Sequence, residues 1–332
     1  MQVFVAGASG AIGSRLVPQL IDRGHDVIGT ATSPERAKRV SALGAEAIVL
    51  DLLDPRAVRE AVLAFKPEAI IHQATALAKL SDFKHFDRSF AQTNRLRTKG
   101  TDALLAAASE AGVRRFVAQS YASARYAREG GPVKTEDDPL ERNPPEAARE
   151  SWDAMLYLDR VVTEAGGIAL RYGVFYGEQN DKLVEAVRKR MWPIVGDGGG
   201  VSSFIHLDDA AAATVLALEK EGPAIYNIVD DDPAPARMWL PEIAKIVEAK
   251  PPRRFPVWLA RLFAGEALVM MGTESRGASN TKAKLELGWA LRYPSWRQGF
   301  AELYGEPASV TRDPRPVPAG AEQVGSSSRR AA

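Results

Sequence analysis

The sequence predicts an α/β protein built as a Rossmann-type, doubly wound parallel sheet with a smaller C-terminal substrate lobe. Three observations support this fold class. Short apolar runs alternate with longer helical patterns over the first 120 residues, a glycine-rich stretch follows the first run, and the pattern becomes irregular beyond residue 178. Runs that are apolar throughout indicate strands buried on both faces, as in parallel sheets covered by helices.

The predicted elements follow in chain order. Strands are expected at VFVA, HDVIGTA, EAIVL, AIIHQA, RRFVAQS and GIALRYGVFYG, which occupy 3–6, 25–31, 46–50, 69–74, 114–120 and 167–177. Helices are expected after the glycine-rich stretch, around 34–42, over 57–65, over 87–111 and around 150–165. Since crossovers between parallel strands are right-handed, the carboxyl ends of the strands, and with them the binding crevice, lie at one edge.

Composition narrows the classes of function. Lys and Arg total 43 against 42 for Asp and Glu, so the balance argues against a nucleic-acid partner. The chain has no cysteine and only four scattered histidines, which argues against disulfides and against a metal site. The N-terminus does not read as a signal peptide, and the most apolar stretch, 255–272, is too short to span a bilayer. We therefore expect a cytoplasmic protein with no membrane partner.

The stretch GASGAIG (7–13) predicts a dinucleotide cradle because it follows a strand and opens a helix. Gly7 permits a tight turn, Gly10 lets the backbone approach a pyrophosphate, and Gly13 allows the helix to pack closely on the strand. Free amides at the start of the helix then face the negative charge. The alternative is a turn of small residues without a ligand. The predicted contacts of the cofactor in this loop are Gly7, Ser9, Gly10, Ala11, Ile12 and Gly13.

The residues after the second strand favour NADP over NAD. An acidic residue at this point would bind a ribose hydroxyl and repel a 2′-phosphate, but TATSPER (30–36) has no acid before Glu35. The hydroxyls of Thr30, Thr32 and Ser33, together with the guanidinium groups of Arg36 and Arg15, are candidates to hold the phosphate. NAD remains the alternative.

Asp51 and Leu52 follow the third strand in VLDLLD. Asp51 is placed to contact the adenine of the cofactor. It is equally suited to cap a helix, since Asp54 and Pro55 follow with similar capping chemistry.

These residues and several later stretches resemble the extended short-chain dehydrogenase/reductase superfamily, in its NAD(P)-dependent epimerase/dehydratase branch. The resemblance runs from about residue 1 to 303 and rests on GASGAIG, DLLD, IIHQAT, the stretch KGTDALLAAASEAGVRRFVAQS after Asn94, LRYGVFYG, FIHLDDAA, IYNIVDD and LGWALRYPSWRQGF. It implies that Gln73, Ala74, Thr75 and Asn94 lie beside the cofactor, and it also implies a homodimer. For Asn94, packing between helices is the alternative.

The resemblance and the pattern together divide the chain. We expect residues 1–165 to form the dinucleotide-binding domain, with the strand at 168–177 returning to it. Residues 178–305 are expected to form an interleaved substrate lobe. The tail at 306–332 is rich in Pro, Ser, Ala and Arg, a composition typical of disorder.

One part of the family's chemistry is missing. The resemblance implies a Tyr that acts as general acid and base, with a Lys four residues later that lowers its pKa. None of the eight tyrosines has a lysine at that spacing, and no lysine occurs between Lys134 and Lys182. In the expected helix, ARESWDAMLYLDRVVTE, the best register puts Ser151 and Met155 at the two positions.

Substitutes for the missing pair come from the strand ends and the same helix. The catalytic candidates are Ser120, Tyr121 and Tyr157, although either tyrosine is also suited to packing. Arg171 is expected to anchor structure. The candidates for substrate contact are Tyr172, Tyr176 and Phe204.

Three functions remain open from the sequence. The first is an NAD(P)-dependent oxidoreductase of an atypical kind, acting on a small organic or sugar-like molecule. The second is a dinucleotide-binding regulator or sensor without turnover. The third is an isomerase or lyase that uses its bound cofactor structurally. We favour the first, because the lobe keeps aromatic residues and an Asp-Asp segment that a sensor would not need.

Overall fold

The computed structural model describes residues 1–77, 84–122, 125–178 and 181–305. Its strands are β1 (Gln2–Ala6), β2 (Asp26–Ala31), β3 (Glu46–Val49), β4 (Ala69–His72), β5 (Arg115–Tyr121), β6 (Val133–Lys134), β7 (Ile168–Tyr172), β8 (Val174–Tyr176), β9 (Ile194–Val195), β10 (Val201–Ser202), β11 (Phe204–His206), β12 (Ala224–Ile228), β13 (Ala234–Pro235), β14 (Arg254–Phe255) and β15 (Gly277–Ala278).

The α-helices between and after these strands complete the fold. They are α1 (Gly13–Asp22), α2 (Pro34–Ser41), α3 (Pro55–Phe65), α4 (Phe86–Arg95), α5 (Thr101–Ala111), α6 (Arg149–Glu164), α7 (Lys182–Arg188), α8 (Leu207–Leu218), α9 (Ala236–Ile246), α10 (Val257–Thr273), α11 (Thr281–Leu287) and α12 (Trp296–Tyr304). A π-helical turn, Leu96–Gly100, joins α4 to α5.

The central sheet is parallel, with strand order β3-β2-β1-β4-β5-β7-β12 in the described part of the chain. The order reverses between β1 and β4, which places a crevice at the carboxyl ends of these two strands. Helices α1, α8 and α11 pack on one face, and α3, α5 and α6 pack on the other. The predicted doubly wound α/β fold is confirmed.

The stretch 167–177, predicted as one strand, is divided into β7 and β8 at Gly173. A Cβ at Gly173 would lie 2.6 Å from the carbonyl oxygen of Ser203, so only glycine lets the chain pass this close. Strand β7 stays in the central sheet, whereas β8 pairs with β11 in a small separate sheet. The break therefore lies beside the crevice, where it turns the chain toward the lobe.

Residues 178–305 do not form one separate body. Helix α8 and strand β12 belong to the layers of the central sheet, since α8 packs against α1 and β12 pairs with β7. The remaining elements pack around an aromatic core that includes Phe204, Trp239, Trp296 and Phe300. The expected tail at 306–332 lies outside the described residues. None of the described helices combines the length and the apolar character that a membrane crossing requires.

Candidate active site

The glycine-rich loop between β1 and α1 has the geometry of a cradle. Gly7 has φ +91°, and a Cβ there would lie 2.7 Å from the backbone of Ala74 at the end of β4. A Cβ at Gly13 would lie 2.4 Å from the carbonyl oxygen of Ala8. These two glycines are therefore required by the close approach of backbone to backbone.

Gly10 is exposed, unlike Gly7 and Gly13. A Cβ at Gly10 would meet only the carbonyl oxygen of Gly7, at 3.3 Å, and would otherwise project into open space. Helix α1 begins at Gly13 without a side-chain cap, since Ile12 has no polar side chain. The open face over Gly10 and the uncapped helix start fit the diphosphate of a dinucleotide.

The residues after β2 divide into two groups. The hydroxyl of Thr30 is buried and accepts a hydrogen bond from the Gly7 amide at 3.0 Å, so it supports the loop instead of a phosphate. Ser33 caps α2, and its hydrogen bond to Glu35 lowers the pKa of that carboxyl. Thr32 and Arg36 remain exposed, with the guanidinium donating to Thr32 Oγ1 at 3.4 Å. Of the predicted phosphate ligands, only this pair faces solvent without a structural task.

Asp54, and not Asp51, caps the helix that follows β3. Asp54 caps α3, because its carboxylate accepts from the amides of Arg56 and Ala57. Asp51 is exposed, and its Oδ1 accepts from the Leu53 amide at 2.9 Å. Leu52 has its side chain in the core, so only its backbone is available to a cofactor.

The end of β4 contributes to the crevice through its backbone. Ala74 contacts the glycine-rich loop, and Thr75 follows it half-buried. The side chain of Gln73 is buried and donates to Tyr172 Oη at 3.0 Å. Gln73 therefore braces the strand ends from within the sheet's core.

A cavity of about 250 Å³ lies between the carboxyl ends of β5 and β7 and the lobe. Its walls are mostly apolar and aromatic, and they include Phe86, Phe90, Arg97, Gln119, Ser120, Tyr121, Ser151, Trp152, Met155, Trp192, Phe204 and Trp239. Within the described part of the chain, the cavity lining contains no carboxylate, imidazole or ammonium group. Arg97 and Tyr121 are its ionisable side chains.

Helix α6 brings Ser151 and Met155 to the cavity wall. Asp87 on α4 holds the start of α6, since its Oδ1 accepts from the Ser151 amide at 2.9 Å and from Ser151 Oγ at 2.6 Å. Asn94 donates to the same Oγ at 3.0 Å. Asn94 is thus tied to the packing of α4 against α6 and does not line the cavity, and its placement beside the cofactor stays a prediction.

Ser120 lies at the floor of the cavity in contact with a buried charge cluster. Its Oγ accepts from Arg125 Nη1 at 2.9 Å. Asp159 pairs with both Arg125 Nη2 and Arg171 Nε at 2.8 Å. Burial raises the pKa of Asp159, but the two guanidinium groups outweigh this effect and hold it below its usual value. Arg171 therefore anchors structure, as expected.

Arg97 is the site residue that the sequence did not indicate. It lies in the π-helical turn between α4 and α5, only 5% exposed, and it lines the cavity. Its Nε has no hydrogen-bond partner, and no ion pair joins it to another described residue. Burial, and then the charge of Arg125, lower the pKa of Arg97 to about 10. Its neighbours Arg95 and Lys99 are exposed, so no periodicity distinguishes it.

Three of the predicted tyrosines do not line the cavity. Tyr157 points from α6 toward α5, where its hydroxyl donates to Asp102 Oδ1 at 2.7 Å. Tyr172 lies under the sheet and shares a hydrogen bond of 2.6 Å with Thr214. Tyr176 is stacked on Phe300 in the lobe core. These placements correct Tyr157 as a catalytic candidate and Tyr172 and Tyr176 as substrate contacts.

Tyr121 and Phe204 do line the cavity. Tyr121 ends β5, and its ring is half-buried beside Phe86 and Trp152. Phe204 begins β11, and its ring meets Trp239 edge-on with centroids 5.5 Å apart.

Comparison with known proteins identifies relatives that are similar in sequence. The chain is 41% identical over 308 residues to the 3-diazoavenalumate denitrifying reductase of a Streptomyces species, a match that covers 90% of this chain and 99% of the relative. It is 28% identical over 264 residues to the 2-alkyl-3-oxoalkanoate reductase of Stenotrophomonas maltophilia, which covers 75% of this chain and 76% of that protein.

Among solved structures, UDP-glucose 4-epimerase from Thermotoga maritima, crystallised with UDP-glucose, is similar with a TM-score of 0.73 and 21% identity. That similarity covers 92% of this chain and 97% of the epimerase chain, and it concerns the fold. The model of the NAD dependent epimerase/dehydratase family matches residues 3–229, the span that holds the glycine cradle, the strand ends and α6. The chain is an enzyme that belongs to the NAD dependent epimerase/dehydratase family.

Proposed function

We propose that this enzyme is an NADPH-dependent reductase that delivers hydride to the diazo group of a small aromatic compound and releases dinitrogen. The observation that carries the proposal is the cavity lining, which in the described residues offers no carboxylate, imidazole or ammonium group. The 41% identical relative is, by its name, a reductase that removes nitrogen from a diazo compound.

The missing Tyr-Lys pair fits this reaction. Reduction of a ketone leaves an alkoxide that must gain a proton, so a ketoreductase needs a general acid with a pKa near the working pH. In the register that the sequence favours, the two family positions hold Ser151 and Met155, both of which line the cavity and neither of which is a general acid near neutral pH. A site built in this way suits an acceptor that needs no proton from a side chain.

The bound dinucleotide would supply a hydride. An arenediazonium ion that accepts this hydride on its terminal nitrogen becomes an aryldiazene, which loses dinitrogen while its hydrogen passes to the ring carbon. Each turnover consumes one diazonium ion and one NADPH, and it forms one arene, one dinitrogen and one NADP⁺. The C–N bond breaks, a C–H bond forms, and no net proton enters from the protein.

This chain's own residues bind and orient the reactants. The loop from Gly7 to Gly13 would hold the diphosphate, and Asp51 would face the adenine. Thr32 and Arg36 would hold a 2′-phosphate, which supports NADPH over NADH, with Arg36 free of ion pairs among the described residues. The aromatic walls at Phe86 and Trp152 would hold a planar ring and exclude water from the reacting nitrogen.

The test incubates the purified enzyme with NADPH and a diazo-substituted aromatic acid, such as 3-diazoavenalumate. We expect NADPH oxidation, with one dinitrogen and one deaminated arene formed for each NADPH consumed. Oxidation of NADPH without loss of nitrogen, or no oxidation at all, would contradict the proposal.

Carbonyl reduction is the second candidate, and one observation favours it. Tyr121 places a phenol in the cavity wall, and the 28% identical relative is named as an oxoalkanoate reductase. If the acceptor is a ketone, we expect the phenol of Tyr121 to supply its proton.

Tyr121→Phe separates the two candidates. Loss of a general acid lowers a rate by about 10²–10⁴-fold, so a ketoreductase would lose nearly all activity. Diazo reduction is expected to keep its rate to within a small factor, because its balance needs no acid. Tyr157→Phe is the matched control, since its hydroxyl is bound to Asp102 away from the cavity.

A further inference from the structure

A buried positive charge in the cavity wall lacks a counter-ion. Three guanidinium groups, those of Arg97, Arg125 and Arg171, are buried within interaction range of one buried carboxylate, that of Asp159. Asp159 pairs with Arg125 and Arg171 through its Oδ2, and it forms no ion pair with Arg97. Its Oδ1 is buried without a hydrogen-bond partner. Glu136 faces Arg171 from the loop that follows β6, and counting it still leaves one positive charge in excess.

The excess charge is located at Arg97, because it alone of the three has no ion pair among the described residues. An isolated buried charge is costly, and proteins normally pair it. Arg97 also sits in a π-helical turn, a distortion that occurs often at functional sites. The arrangement is unfavourable for the empty protein and becomes favourable when an anion enters.

The surroundings define the anion. The cavity walls beside Arg97 include the rings of Phe86, Phe90 and Trp152, so the ligand must carry a flat apolar body. The loop from Gly7 to Gly13 does not contribute to this cavity, so the diphosphate of the cofactor binds elsewhere. A planar guanidinium fork matches a carboxylate in a bidentate manner.

We propose that Arg97 binds the carboxylate of an aromatic acid substrate. This contact would determine which end of the substrate faces the part of the cavity where hydride is delivered. This inference rests on the proposed function only in taking the occupant of the cavity to be the substrate. Arg97 is then the specificity-determining residue for acids over their neutral analogues.

The binding test uses the NADP⁺-saturated enzyme with two non-reducible probes, 4-hydroxycinnamate and its carboxamide. Binding is followed by quenching of the tryptophans that line the cavity, Trp152, Trp192 and Trp239. We expect the acid to bind at least about tenfold more tightly than the amide, as a charge-assisted hydrogen-bonded pair provides. Equal binding of acid and amide by the wild-type enzyme would overturn the inference.

Variants assign the preference to one side chain. Arg97→Met is expected to remove the discrimination between acid and amide, and Arg97→Lys to restore part of it. Arg95→Met changes an exposed arginine two residues away and is the matched control. NADPH affinity should stay unchanged in all three. Wild-type discrimination in Arg97→Met, or a parallel loss of NADPH affinity, would contradict the assignment.

Stability gives a second readout that a structural role would not produce. Because Arg97→Met removes an unpaired buried charge, its melting temperature should equal or exceed that of the wild type. A large drop would show that the guanidinium supports the fold instead of a ligand.

The two proposals can fail separately. If the enzyme reduces no diazo compound but keeps the Arg97-dependent preference for acids, the reaction is wrong and the carboxylate site stands. If wild type and Arg97→Met reduce a diazo acid with the same KM, the reaction stands and the carboxylate site is wrong.

Discussion

Arg125 donates a hydrogen bond to Ser120 across 2.9 Å, so a serine at the cavity floor is held by a guanidinium that is itself completely enclosed. Asp159 stands behind this pair and joins it to Arg171. The lower end of the active site is therefore fixed by a charge cluster that belongs to the core. Ser120, a catalytic candidate, is thus hydrogen-bonded to a charge cluster of the protein core.

Asp159→Asn is expected to destabilise the protein by about 3–5 kcal/mol at neutral pH, because it removes the carboxylate that forms ion pairs with two buried guanidinium groups. Chemical denaturation measures this change. The matched control is Glu164→Gln, whose carboxylate pairs with Arg160 on the surface and whose loss should cost about 0–1 kcal/mol. If the two substitutions lowered the free energy of unfolding equally, the buried cluster would contribute no more to stability than a surface ion pair.

The same carboxylate predicts a pH dependence. The pKa of Asp159 in the folded protein lies below its ordinary value of 3.8. The unfolded state therefore binds the proton more readily, and the stabilisation from this group is complete above about pH 4 and is lost as the pH falls through the folded value. The difference in unfolding free energy between wild type and Asp159→Asn should shrink on acidification below about pH 4. A constant difference would contradict this prediction.

Gly10→Val should abolish binding of NADPH and NADH while leaving the fold intact. The new side chain would meet only the Gly7 carbonyl oxygen in the protein, and it would occupy the space over the uncapped start of α1. Calorimetric titration and a melting curve provide the two readouts. Gly131→Val is the control, because Gly131 is exposed with no atom within 4 Å of its Cβ position. Retained nucleotide binding in Gly10→Val would refute the cradle.

Arg36→Ala should weaken NADPH about tenfold or more and leave NADH nearly unchanged. A charge-assisted hydrogen bond to phosphate contributes about 1.5–3 kcal/mol. NADH has no 2′-phosphate, so it makes no such bond and loses nothing when Arg36 is removed. Lys38→Ala, another exposed cation on α2, controls for general charge. If both nucleotides bind equally to the wild type, the preference for NADPH is wrong.

Tyr172→Phe should lower stability by about 1–3 kcal/mol, since Gln73 and Thr214 both lose a buried hydrogen-bond partner. We expect turnover to fall only in proportion to the fraction of protein that is unfolded. Activity per folded molecule, corrected by the melting curve, checks this. A specific loss of kcat at full folding would return Tyr172 to the active site.

The sequence by itself determined the fold and the cofactor cradle. Apolar runs separated by helical patterns predict a parallel sheet. The spacing of the glycines at 7, 10 and 13 after a strand predicts the cofactor cradle. The absence of a Tyr-Lys pair was also visible, because it depends only on residue types at a fixed separation. All of these properties depend on residue types within short stretches of the chain.

Only the tertiary structure decided which side chains share the cavity. Tyr121 and Tyr157 looked equivalent in the sequence, yet the direction in which each leaves its strand or helix places one at the wall and the other against Asp102. Arg97 was indistinguishable from exposed basic neighbours. What distinguishes it is burial by distant residues, and the pairing of the nearby carboxylate of Asp159 with Arg125 and Arg171 instead. Burial and pairing are properties of the packed molecule, and local sequence does not contain them.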